Sequence, residues 1–155
     1  MKQRQLIGAC LVVVAGVFGS GIAQVEESGR FALHTKTDTM KIRFSFHGQT
    51  LQATLHDNPS ARDFYSLLPL SLTLEDYAAT EKIAYPPRKL STVGAPEGFT
   101  PSAGDIAYYA PWGNLALFHK GFRYSSGLVS LGKFDSGVEL LKTPGKLAVV
   151  IERVE

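Results

Sequence analysis

Cysteine is almost missing from this 155-residue chain, Cys10 being the single copy, and tryptophan is equally scarce, with Trp112 alone. One cysteine excludes an internal disulfide and any paired-cysteine redox or zinc motif. Neither sign of charge dominates, 16 basic residues standing against 14 acidic ones. Two of the basic residues, Lys2 and Arg4, precede an apolar run from Leu6 to Phe18, and small residues follow as far as Gly21-Ile22-Ala23. That layout predicts a secretory signal peptide over residues 1–23 and a periplasmic or secreted protein. The alternative is a membrane anchor left uncleaved, since Leu6 to Ala23 lies at the lower edge of a spanning length. The glycines and the small-residue exit favour cleavage. Lipidation at Cys10 is disfavoured because most of the apolar run lies after it.

Loss of Lys2 and Arg4 leaves 14 basic residues against 14 acidic, so the mature chain is formally neutral and without cysteine. No basic stripe remains to neutralise phosphates, which argues against nucleic acid as a partner. No membrane partner is expected for the mature domain either. Its stability must come from packing, and 45% hydrophobic residues suffice for one core. Residues 24–37 read as a leader and 38–155 as the domain. Other absences narrow the chemistry. His34, His47, His56 and His119 have no metal-ligand spacing, so neither a metal nor a cofactor is implied. Ser125-Ser126-Gly127 and Ser136-Gly137 lack the strand-to-helix elbow of a hydrolase nucleophile, and the glycine spacing fits no phosphate loop. Asp57 reads as a helix cap, and Asp105 and Asp135 as turn residues, rather than as catalytic pairs.

What is present is short alternation. Met40, Ile42, Phe44 and Phe46 alternate with Lys41, Arg43, Ser45 and His47, as a half-buried strand does. Gly48-Gln49 is expected to form a type II′ turn into a second strand carrying Leu51, Ala53 and Leu55. Asp57-Asn58-Pro59-Ser60 opens a helix with Ala61, Phe64, Leu67 and Leu68 on one face, stopped by Pro69. Leu70, Leu72 and Leu74 predict another strand, and Glu81 to Tyr85 a short one ended by Pro86-Pro87. Arg88 to Ala103 reads as a long loop, of a length that tends to be functional. Leu128, Val129 and Leu131 predict a strand ended by Gly132, Val138 to Leu141 a turn or short helix, and Lys146 to Val154 a last strand. Six to eight short strands with one convincing helix point to a barrel or sandwich.

The chain is organised around Gly104 to His119, a strand, a turn holding Pro111, Gly113 and Asn114, and a second strand. Alternation puts Tyr108 and Tyr109 on opposite faces, so one of them belongs to the core. Tyr109 and Trp112 offer flat apolar faces with polar edges, and Asn114 and His119 offer orienting hydrogen bonds. Tyr85, at the end of the short strand, and Arg88, opening the long loop, complete the candidate ligand-binding set. No catalytic constellation accompanies them.

The hairpin, the Asn58 to Phe64 helix, Leu70 to Tyr77, Glu81 to Tyr85 and Gly104 to Asn114 together resemble a family of bacterial cyclophilin-like proteins over residues 38 to 154. The resemblance implies a mainly β fold, a small closed cyclophilin-like β-barrel with one or two short helices. Asn58 to Leu68 is similar to the helix of the true cyclophilins, which are peptidyl-prolyl isomerases. Their Phe-His-Arg and Gln-Gly-Gly-Asp motifs have no counterpart, the corresponding stretch being Tyr85-Pro86-Pro87-Arg88, so no catalytic role passes to Arg88. The expected function is an exported module that binds a peptide segment or a small molecule. A weak peptidyl-prolyl cis-trans isomerase using Arg88 and Tyr85 is the alternative.

Overall fold

The structure, a computed structural model, describes residues 39–155; the expected signal peptide and leader lie outside the described residues. The alternating stretches form strands as expected: β1 Lys41–Phe46, β2 Gln49–Leu55, β3 Leu70–Tyr77, β4 Glu81–Ala84, β6 Asp105–Tyr109, β7 Asn114–Phe118, β9 Leu128–Phe134 and β10 Leu147–Arg153. These eight close into an antiparallel barrel in the order β1-β10-β3-β4-β7-β6-β9-β2. Two very short strands, β5 Gly98–Phe99 and β8 Ser125–Ser126, pair with each other outside it.

Alternation builds the interior. Ile42, Phe44, Phe46, Leu147, Val149 and Ile151 are all buried, and the rings of Phe44 and Phe134 meet at 4.9 Å between centroids. The helix α1, Pro59–Ser66, adds Ala61 and Phe64 to the same core, both fully buried. A ring such as Phe64 contributes about 2–3 kcal/mol by leaving water. A second, smaller apolar cluster lies on the other side of the sheet: Ala107, Ala116, Phe118 and Leu128 are covered by Phe99 and Phe122. Part of the outer wall is therefore roofed, and the roof is the β5–β8 ribbon with its flanking loops.

Three details of the local chemistry differ from expectation. The first turn is His47-Gly48, with φ of 47° and 72° and the pair Phe46↔Gln49 closing it; positive φ at both central residues is the type I′ geometry that suits strand twist. The helix is capped by Asn58 and not by Asp57: Asn58 Oδ1 accepts from the Ala61 amide at 2.8 Å, while the Asp57 carboxylate pairs with Arg62. Gly132 does not end its strand. It lies inside β9 where the strand crosses close to β2, and a Cβ there would run into the Thr54 carbonyl oxygen and fall 2.7 Å from Leu55 Cα. A bulge opposite Ile106 and Ala107 accompanies that approach.

One charge is inside. Lys82 is fully buried, and its ammonium donates to the Thr143 and Gly145 carbonyls at 2.7 Å each and pairs with the Asp76 carboxylate at 2.6 Å. Three acceptors satisfy its three donors, so the burial is compensated. The contact ties the 3₁₀ helix Val138–Lys142 and the entry to β10 onto β4. Asp76 is held below the usual carboxylate range, first by its bond from Lys82 and then by the Gly145 amide.

Candidate functional site

Strand register assembles the site on the outer wall. Tyr77 pairs with Glu81, and Glu81 with Phe118, so these three form one row across β3, β4 and β7. Asn114, Tyr109 and Leu128 form a second row across β7, β6 and β9. Ile83, opposite Ala116, lies between them. Because paired residues project to the same face, both rows look outward into a cavity of about 200 Å³, which Trp112, Phe122, Arg123 and Ser125 complete from the surrounding loops.

Trp112 is aimed by its turn. Gly113 takes φ of 77°, a region open to glycine, and its amide donates to the Tyr109 carbonyl at 2.8 Å. The indole then stands edge-on to two tyrosines, with centroids 5.4 Å from Tyr77 and 5.5 Å from Tyr109 and interplanar angles of 87° and 77°. These are the perpendicular contacts that aromatic quadrupoles favour. Half of Trp112 stays exposed.

Two polar residues of the cavity are largely out of water, and one of them holds an orphaned atom. Asn114 is 2% exposed; its Nδ2 donates to the Leu115 carbonyl at 2.9 Å, which leaves Oδ1 with no hydrogen bond among the described residues. Glu81 is 7% exposed, and burial pushes its carboxyl up from 4.5 to about 7. A carboxyl changing charge near neutral pH inside an aromatic cavity is the kind of group that binding and proton-transfer sites use.

Of the six candidate residues, Tyr109, Trp112 and Asn114 meet at this cavity. The other three do not line it. Tyr85 is 57% exposed just past the end of β4. Arg88 forks onto Asp63 of α1, at 2.9 Å and 2.6 Å, and this pairing is the first cause of the lowered Asp63 carboxyl. His119 lies in a shallower concavity with Asp76, Tyr77 and Lys142, and burial, more than the nearby lysines, lowers its proton affinity. Tyr108 is the core tyrosine, its hydroxyl accepting from the Leu90 amide at 3.1 Å and so anchoring the long loop. Tyr77, Glu81, Phe118 and Phe122 were not singled out from the sequence, because their shared position depends on register between strands. The adjacent Glu81-Lys82 pair was the available signal, two charges in a short strand flanked by apolar residues.

A closed eight-stranded antiparallel barrel with one short helix and a roofed cavity on its outer wall defines a small all-β protein of the cyclophilin type. The chain belongs to the cyclophilin-like family, whose model matches residues 44–152. No curated protein sequence matches the chain. Its fold is similar to the solution structure of a hypothetical protein from Archaeoglobus fulgidus, at a TM-score of 0.58 and 18% identity, over 75% of this chain and 95% of that one. At that identity the likeness concerns the fold.

Proposed function

We propose that the domain is an exported binding module whose outer-wall cavity takes a small molecule or a single side chain of a peptide. One observation carries the reading: three aromatic rings converge on a cavity that also holds the unpaired Asn114 Oδ1. An orphaned buried acceptor costs about 1–3 kcal/mol, a penalty that a bound donor removes. At about 200 Å³ the cavity is below the roughly 300 Å³ where drug-sized sites begin, so the occupant is small. The isomerase alternative gains little, since the Arg88 guanidinium is engaged by Asp63 and does not line the cavity.

The test is titration of the purified protein with proline-containing peptides and small aromatic metabolites, followed by Trp112 fluorescence and amide NMR shifts. The expected result is saturable change at the indole together with shifts at Tyr77, Tyr109 and Phe118. Shifts scattered over the surface, or none, would count against the site. Export is tested separately: N-terminal sequencing of material outside the cytoplasm is expected to begin at Gln24. A chain still carrying residues 1–23 and held in the membrane fraction would favour the anchor instead.

A further inference from the structure

We propose that the outer-wall cavity selects an organic ammonium ion, with the Glu81 carboxylate as its counter-ion and the rings of Tyr77, Tyr109 and Trp112 as its walls. The inference rests on the binding reading above and adds the charge class of the ligand.

The buried polar groups of the cavity ask for donors. Asn114 spends one N–H of its amide on the Leu115 carbonyl, and its Oδ1 is a buried acceptor with no partner among the described residues. Ionised Glu81 accepts only, and among the described residues it makes neither a hydrogen bond nor an ion pair. An anion entering the cavity meets the Glu81 charge, and an apolar occupant leaves both acceptors unsatisfied. A cationic ligand answers the Glu81 charge, and an N⁺–H on it adds a hydrogen bond that a quaternary ammonium forgoes. The walls suit the same charge, since cations are drawn to the faces of tryptophan and tyrosine rings. Along β7, Asn114 lies four residues from Phe118, the register partner of Glu81, which separates the two polar ends by roughly 13 Å. The cation is therefore placed at the Glu81 end, with the body of the ligand running along the rings toward Asn114.

The competing cation is accounted for. Arg123 lines the cavity, but it is exposed and its guanidinium stacks on Phe122 at 5.2 Å without pairing with Glu81. Lys82, the neighbour of Glu81 in sequence, faces the interior and is consumed by Asp76 and two carbonyls. The ionisable groups facing Glu81 in the cavity are thus Tyr77 from β3, Tyr109 from β6 and Arg123 from the roof. Burial keeps a proton on Glu81 up to about pH 7. A bound ammonium supplies the missing counter-charge and releases that proton, so its affinity rises with pH through neutrality.

Calorimetric titration of the full chain with 2-phenylethylamine, phenylethyltrimethylammonium, 2-phenylethanol and 3-phenylpropanoate tests this. Both ammonium probes are expected to bind at least tenfold more tightly than the alcohol at pH 8. The advantage should shrink toward pH 5.5 and collapse toward one in Glu81→Gln. The pH profile of the unmodified protein serves should that variant fold poorly. Nα-acetyl-lysine amide, its side-chain ammonium free, is run in parallel and separates a peptide source from a free amine: tighter binding than phenylethylamine assigns a peptide side chain, and weaker binding a metabolite. Equal binding of cation, alcohol and acid at the Trp112 cavity overturns the charge assignment while leaving the binding site standing. Binding of none of them overturns both.

Discussion

Glu81 carries a cost that folding alone does not explain. In the unfolded chain its carboxyl gives up a proton near 4.5, whereas the folded protein keeps it up to about 7. Between those values the native state binds more protons, so stability is fully present below the lower one and is lost as pH rises through the upper one. The loss amounts to about 3 kcal/mol at roughly 1.4 kcal/mol per pH unit. His119, whose proton affinity burial lowers, works in the other direction, adding stability as pH rises. The measurement that isolates Glu81 is therefore the difference between Glu81→Gln and the unmodified protein in denaturant melts. That difference is expected to grow in favour of the variant by about 3 kcal/mol between pH 4.5 and pH 8. A flat difference would mean the carboxyl is not desolvated. At the acid end Asp63, Asp76 and Asp135, all lowered by cationic partners, stabilise the fold above their unfolded values. That contribution disappears as pH falls through their folded values.

At the scale of elements, the turn between β3 and β4 is strained where the site begins. Ala78 and Ala79 are both left-handed, with φ of 49° and 52°, and the first pair beyond the turn is Tyr77↔Glu81. A non-glycine residue there costs about 1–2 kcal/mol, and the added freedom of an unfolded glycine returns at most about 1 kcal/mol of that. Ala79→Gly is thus expected to raise stability by about 0.5–1 kcal/mol in a denaturant melt; a destabilised variant would show that the turn is relaxed. The opposite holds at Gly132, where Ala is expected to cost about 2 kcal/mol or more, because what its Cβ meets is backbone that cannot swing aside. These elements mark what sequence alone conveys. Period-two alternation identified β1, β2, β3 and β10, and the Asn-Pro start identified α1, since each pattern is local. The partners in the barrel were hidden, because the pairing of β1 with β10 joins residues over a hundred positions apart. Glu81 and Lys82 were opaque for a related reason: the rule of one wet face fails on β4, where one face meets the core and the other a roofed cavity. That Tyr109, Trp112 and Asn114 cluster was legible in the hairpin tip, because they lie within six residues on a strand, its turn and the start of the next strand.

For the molecule as a whole, closure divides stability unevenly. Every barrel strand is bonded on both sides, leaving no free edge, so its amides exchange with solvent mainly through global opening. The ribbon that roofs the cavity has only the pairs Gly98↔Ser126 and Phe99↔Ser125, with the Gly127 amide donating to the Glu97 carbonyl at 2.7 Å beside them. So few bonds open locally, without unfolding the barrel. Amide hydrogen exchange is expected to show residues 97–99 and 125–127 exchanging orders of magnitude faster than β1 and β10. Because Ser125 of the ribbon and Phe122 and Arg123 just before it line the cavity, the proposed occupant would hold the ribbon down. Saturating phenylethylamine should then slow exchange in the ribbon by far more than the uniform protection that binding confers on the whole fold. Equal protection of ribbon and barrel in the free protein would show the roof to be part of the rigid core, and entry to the cavity would have to run past the exposed half of Trp112 instead.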